Sequence, residues 1–257
     1  MVNKWAEDAH VTRYLGHADT LPHRSEGEAV VVELLPPTVG RVLNLGTGDG
    51  RLLAAVLSAR PALTAGVGVD MSPPMLAAAR ARFATERRVA VVDHNMDAPL
   101  PAAALLAAAD AAAAAGEAAV GDDPGVAGRR ASGATDGTGG GAGGGGRLFD
   151  VVVSSFAIHH LSDARKRAVY AEAAALLAPG GTLINLEHVA SPTAGLHAEF
   201  LGALGVPVAE DDPSNVLAPV APQLAMLADA GLADVDCFWK WREMALLAGR
   251  KPPSVAA

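Results

Sequence analysis

The sequence predicts an α/β domain built on a doubly wound, mostly parallel seven-stranded sheet that closes with an antiparallel C-terminal hairpin. Three observations carry that prediction. Short apolar runs alternate with longer amphipathic ones, the pattern of successive βαβ units. A glycine-rich turn joins the first strand-like run to the helix after it, as in sheets that hold ligands beyond the carboxyl ends of their strands. The last two strand-like runs are joined by almost nothing, and only antiparallel neighbours can be connected so tightly.

In chain order, Arg41–Leu45 reads as a buried strand, 46–50 as a loop, and 51–60 as a helix that Pro61 ends. Residues 64–70 form the next strand. A helix over 73–88 follows, with Ser72 as N-cap and prolines in its first turn, and then the strand Val89–Asp93. Further on, Phe149–Ser155 is a strand, 162–178 a helix and 182–189 a strand. Helices over 194–204 and 220–230 lead to the closing strands 235–241 and 243–249.

A chain of 257 residues suits one domain, 1–257, with residues 1–38 as an N-terminal helical cap region. Of the 45 residues from 102 to 146, 30 are Ala or Gly, including a run of glycines at the end. The first half suits an Ala-rich helix and the second a flexible coil, so 102–146 reads as a low-complexity insertion whose deletion leaves folding intact. One cysteine, Cys237, excludes a disulfide framework. No secretory or transit segment and no uninterrupted apolar span stand out, since Asp110 and Glu117 break 102–120; the expectation is a cytoplasmic protein without a membrane partner. A net charge of −8 with scattered basic residues disfavours a phosphate-backbone surface, so a small-molecule partner is expected rather than nucleic acid. Nothing in the sequence specifies an oligomeric state.

The first loop, Asn44-Leu-Gly46-Thr-Gly48-Asp-Gly50, differs from the dinucleotide fingerprint because Arg51 stands where its third glycine would be, which disfavours a nicotinamide oxidoreductase. Asp70 ends the second strand 20 residues after Gly50, at the place where a carboxylate can accept ribose hydroxyls. With Phe149-Asp-Val-Val-Val-Ser-Ser-Phe-Ala-Ile-His-His-Leu161 and Leu177-Ala-Pro-Gly-Gly-Thr-Leu183, these motifs occur in one order that resembles the class I S-adenosylmethionine-dependent methyltransferases, over roughly residues 40–250.

The resemblance implies a Rossmann-like methyltransferase fold and S-adenosyl-L-methionine as cofactor. Gly46, Gly48 and Gly50 would line its methionine part, Asp70 and Met71 its ribose side, and Asn95 and Met96 its adenine, with Asp93 and Asp97 as neighbouring registers. Ser154 and Ser155 would lie beside it, and Arg24 would reach its carboxylate. Asn44 departs from the acid usual in the family; it offers an acceptor without charge, so weaker affinity is expected unless an acid such as Asp49 compensates, and Asn44→Asp is expected to tighten binding. The same departure leaves a non-catalytic adenosyl-binding protein as one alternative. A tRNA-modifying enzyme of the same fold, using S-adenosylmethionine or a modified form of it, is the other.

Methyl transfer from a sulfonium is an in-line displacement, so catalysis rests mainly on positioning. A hydroxyl or amine acceptor also needs a general base, and His159, His160 and Glu187 stand at strand ends where one is wanted, with His188 beside them. One histidine of the pair has a structural alternative, packing against or capping the next helix. Glu187-His188 has no third ligand at suitable spacing, so no metal is expected. Acceptor specificity is expected from 5–24, from 187–219 and from Trp239 and Trp241, which share one side of a strand and equally suit a covered core face. Trp5 and Tyr14 could close over the site or belong to a packed helix.

Overall fold

A computed structural model describes residue 16 and residues 21–121 and 147–254. The helices are α1 (Arg24–Leu34), α2 (Arg51–Ala59), α3 (Pro73–Arg82), α4 (Ala102–Gly121), α5 (Asp163–Leu176), α6 (Ala194–Ala203) and α7 (Val220–Asp229). The strands are β1 (Arg41–Leu45), β2 (Ala65–Asp70), β3 (Val89–Asp93), β4 (Phe149–Ser155), β5 (Leu177–His188), β6 (Ala233–Trp241) and β7 (Met244–Arg250). They form one sheet in the order β3-β2-β1-β4-β5-β7-β6. Strands β1 to β5 run parallel, and β7 lies antiparallel to both β5 and β6. The order reverses between β1 and β4, which opens a crevice at their carboxyl ends.

The alternation of side chains splits the core in two. Leu43, Val67, Val152 and Leu183 face α4, α5 and α7 through Leu105, Val169, Tyr170 and Leu227. Val42, Val151, Ile184 and Leu246 face α1 and α2 through Val31, Leu53 and Val56. Helix α1 approaches the sheet closely because Gly27 has no side chain; a Cβ there would stand 2.8 Å from Leu186 and 3.0 Å from Trp239.

The structure moves several sequence boundaries, three of them for reasons that packing and pairing make plain. Helix α3 stops at Arg82 rather than 88, because Phe83 turns inward against Gly50 and Arg88 reaches back to the carbonyls of Pro61 and Leu63. Helix α5 stops at Leu176 rather than 178, since Leu177 already pairs with Phe149 and β5 begins there instead of at 182. Pro179 and the left-handed Gly180 form an irregularity inside that strand, anchored by reciprocal bonds between the backbones of Gly180, Gly181 and Lys251.

The largest change concerns 102–146. The reading of the whole stretch as a removable insertion does not hold for its first part, because α4 covers one face of the sheet with Leu105, Ala109 and Ala112 buried. Arg41 ties it to β1, donating to Asp110 at 2.5 Å and to the Arg147 carbonyl at 2.7 Å. The stretch Ala102–Ala119 is long and apolar enough to cross a membrane by composition, yet its buried side packs on β2 and β3 as an ordinary covering helix. The glycine run, Trp5, Tyr14 and half of the N-terminal cap region lie outside the described residues.

Candidate active site

Strand β1 delivers the chain into the crevice through three glycines with positive φ, 63° at Gly46, 55° at Gly48 and 85° at Gly50. At Gly46 the requirement is absolute: a Cβ would fall 2.1 Å from that of Ala157, on the turn after β4. Asp70 accepts from Gly48 N–H at 2.8 Å and from Ser72 N–H at 2.9 Å, with Met71 N–H as a further backbone donor. Burial raises its carboxyl above the ordinary range against the backbone bonds from Ser72, Gly48 and Met71, and Asp93, its register partner on β3, adds to the rise. Met71 follows it, half-buried.

The turn after β3 brings Met96 beside the glycine loop, its Cε 3.6 Å from where a Gly46 Cβ would lie. Asn95 is exposed, and its Oδ1 accepts from Asp97 N–H at 2.9 Å. Ser154 differs from expectation: its hydroxyl donates to the Leu45 carbonyl at 2.9 Å and ties β4 to β1, so it has no hydrogen left for a ligand. Ser155 Oγ and His94 Nε2 are among the buried side-chain atoms without a hydrogen-bond partner among the described residues. Arg24 lies buried with its guanidinium 5.4 Å from the centre of the Phe156 ring, and its Nε donates to Glu28, which also accepts from Arg51. Asp49 is paired with Arg82.

Asn44 is a correction. It has no exposed surface; its Oδ1 accepts from Thr47 Oγ1 at 2.9 Å and its Nδ2 donates to the Val153 carbonyl at 3.3 Å. The residue braces the loop from inside, and the expected contact with a cofactor ammonium has no counterpart in this geometry. A carboxylate at 44 would face the Val153 carbonyl without a donor. Asn44→Asp is therefore expected to lower stability by about 1–3 kcal/mol rather than to tighten binding, read as a fall in Tm; an unchanged Tm with tighter S-adenosylhomocysteine binding would restore the sequence expectation.

Beyond Ala157, a single 3-10 turn at Ile158–His160 sets two imidazoles side by side, 4.0 Å between ring centres. His159 is buried, and its Nδ1–H donates to Glu187 Oε1 at 2.7 Å. Burial acts to raise the fully buried Glu187 carboxyl, but His159 beside it and hydrogen bonds from His159, His188 N–H and Asn185 hold it below the ordinary range. The Asn185 amide donates in turn to the Tyr170 hydroxyl at 2.9 Å, and that hydroxyl donates to Gln223 at 2.8 Å, so α5 and α7 brace the carboxylate. His160 has a different setting: its Nδ1–H faces the Ser214 carbonyl at 3.3 Å, and burial followed by the neighbouring His159 pushes it down to about 4. His160 is neutral at neutral pH.

A family model described as a methyltransferase domain matches residues 43–183, more than half of the chain. The chain belongs to the class I S-adenosylmethionine-dependent methyltransferases. Two release factor glutamine methyltransferases, from Rhodospirillum rubrum and Cereibacter sphaeroides, are each 39% identical to it, in alignments 77 and 75 positions long that cover 24% and 29% of this chain. The methyltransferase chain thus spans about a quarter of these relatives, 23% and 25% of their lengths. An O-methyltransferase family protein from Burkholderia thailandensis shares the fold with a TM-score of 0.63 at 22% identity, over 98% of this chain and 63% of that one. A Haloferax volcanii protein solved in complex with the Trm112 methyltransferase activator gives 0.60 at 20% identity, over 98% of both chains.

This methyltransferase domain holds a second histidine–carboxylate network that sequence spacing did not reveal. Glu243, buried at the β6–β7 connection, accepts from His188 Nε2 at 2.9 Å and from His197 Nδ1 at 3.0 Å, and His197 Nε2 donates to Asp211 at 3.1 Å. Its members come from β5, α6, a loop and a hairpin up to 55 residues apart, so no local motif exists. Trp239 and Trp241 do lie on the covered side of β6, packed with Phe200. Among the described residues no group of three or more His, Cys, Asp or Glu side chains is arranged to hold a metal ion.

The network makes a pH prediction. Against burial, bonds from His188, Ser191 and His197 lower Glu243 to about 2 from 4.5, so its stabilisation is full above pH 4.5 and lost as pH falls towards 2. Chiefly through Glu243, His197 is raised above 6.5, so its share is full below pH 6.5 and lost as pH rises past the folded value. The Tm difference between wild type and Glu243→Gln is expected to be widest between pH 4.5 and 6.5 and to narrow on both sides; a difference independent of pH would refute the pairing.

Proposed function

We propose that the protein transfers a methyl group from S-adenosylmethionine to a hydroxyl or amine of a small molecule. The observation that carries this reading is the His159–Glu187 pair, which starts two residues beyond the Ala157 that presses on Gly46. The residues present fit an adenosyl ligand: three positive-φ glycines in the loop at the switch point, the Asp70 carboxylate at the end of β2, and the partnerless Ser155 hydroxyl at the end of β4. Gly46, Gly48 and Gly50 would face its methionine part, Asp70 its ribose and the 95–96 turn its adenine. When bound, that cofactor supplies an electrophilic methyl carbon.

His159 takes the acceptor's proton at Nε2 while its Nδ1–H stays on Glu187. Buried Glu187 fixes the tautomer and stabilises the imidazolium that forms. His160 packs beside it as a neutral ring. The acidic net charge favours a small acceptor over tRNA. Small-molecule enzymes such as a mitomycin 7-O-methyltransferase share the fold, at a TM-score of 0.58.

The test pairs calorimetry with S-adenosylhomocysteine and radiolabelled methyl transfer to three separate pools: phenolic and amine metabolites, release-factor protein, and tRNA. Label in the metabolite pool supports the proposal. Label confined to protein or tRNA overturns the acceptor class, and no binding of S-adenosylhomocysteine overturns the cofactor.

A further inference from the structure

Within the turn between β3 and α4, Asp97 N–H and Ala98 N–H bond back to Asn95, and His94 N–H donates to the Asp70 carbonyl on β2. Its side-chain anchors to the body of the protein come from α5. Arg165, in the first turn of that helix, donates through Nε to the Met96 carbonyl at 2.5 Å and through one terminal nitrogen to the Ala98 carbonyl at 2.8 Å. The same guanidinium grips Glu172 with both terminal nitrogens, at 2.6 and 2.7 Å, and Glu172 accepts from Leu100 N–H at 2.9 Å. A fork of this kind fixes orientation as well as distance, which a lysine ammonium does not. Neither side chain belongs to the apolar core; they are 12% and 27% exposed, and what they secure is residues 96–100.

One peptide unit shows what this does. The Met96 carbonyl, held by Arg165, and the Asp97 N–H, held by Asn95 Oδ1, belong to the same planar group. Arg165 therefore sets the plane against which the Asn95 amide is aligned, and with it the placement of Met96 beside Gly46. Releasing the carbonyl frees that plane to rotate and unseats both residues together. Helix α5 also starts directly after the His159–His160 turn, with Ser162 as N-cap, so one rigid element sets both the turn and the base.

We infer that Arg165, oriented by Glu172, is a positioning residue for the adenine end of the cofactor. This rests on the proposed adenosyl site. Arg165→Ala and Arg165→Lys are each expected to weaken S-adenosylhomocysteine binding about tenfold, equivalent to ~1.4 kcal/mol, with Glu172→Gln falling between them and wild type. Because the defect lies at the adenine, 5′-methylthioadenosine, which lacks the amino-acid part, is expected to lose the same factor, leaving the ratio of the two dissociation constants unchanged. A general loosening of the fold would instead lower Tm across all variants without keeping that ratio. The inference is overturned if the variants bind S-adenosylhomocysteine within twofold of wild type, or if the loss is absent with 5′-methylthioadenosine. Wild type that binds neither ligand overturns the adenosyl site itself, and the inference with it, a result distinct from normal wild-type binding with unaffected variants.

Discussion

Replacing His159 by Gln is expected to lower turnover by about 10²–10⁴-fold, the usual contribution of a general base, while S-adenosylhomocysteine binds as in wild type. Gln keeps a donor for Glu187 but has no basic nitrogen. Glu187→Gln acts in the same direction with a smaller loss, since a neutral amide neither fixes the tautomer nor stabilises an imidazolium. His160→Gln is expected to stay within a few-fold of wild type. Its ring faces a carbonyl rather than a carboxylate, and burial holds its basicity low, at about 4. Single-turnover assays with labelled cofactor read all three. Equal losses at 159 and 160 would remove the assignment, because only one of the two rings has the carboxylate partner on which it depends.

The second large effect lies far from the chemistry. Ala109→Asp is expected to unfold the domain at ambient temperature, whereas Ala107→Asp, two residues away on the same helix, is expected to shift stability by less than about 0.5 kcal/mol. Ala109 has no exposed surface and packs with Leu105 on the sheet; Ala107 faces solvent. An ionised carboxylate at 109 would be buried with no partner, at a penalty of several kcal/mol, out of a total stability of roughly 5–15 kcal/mol for a domain. Circular dichroism melts of the two variants check this. A stable Ala109→Asp protein would mean that α4 is the dispensable insertion its composition suggests.

That contrast shows where sequence reading stopped. Helix α4 is so rich in Ala that no apolar stripe stands out from its other faces, and periodicity carries no signal when nearly every position is small and weakly apolar. Strands β1, β3 and β4 were legible to the residue, because continuous Val and Leu runs bounded by Gly, Asp or Ser have one reading. The overshoot at α3 has a tertiary cause: locally, 83–88 suits a helix, and only the packing of Phe83 on Gly50 and the reach of Arg88 to Pro61 stop it. At the site, Asp70 and the glycine loop were readable since their spacing reflects a local strand–turn–helix unit. Glu243, His197 and Arg165 were not, because their partners come from other elements.

The sequence by itself determined the order of elements, the hairpin closure, the glycine loop with Asp70 at the switch point, and the presence of two histidines and a glutamate near one another. Only the tertiary structure decided which histidine has the carboxylate, that Asn44 and Ser154 bond inward to brace β1 and β4, and that the first part of an Ala-rich tract covers the sheet. The reason is physical. Residue type and spacing fix backbone conformation and the face a side chain takes, whereas a hydrogen-bond partner is chosen by whichever group the packed elements bring within 3 Å, and that choice is made across the sheet rather than along the chain.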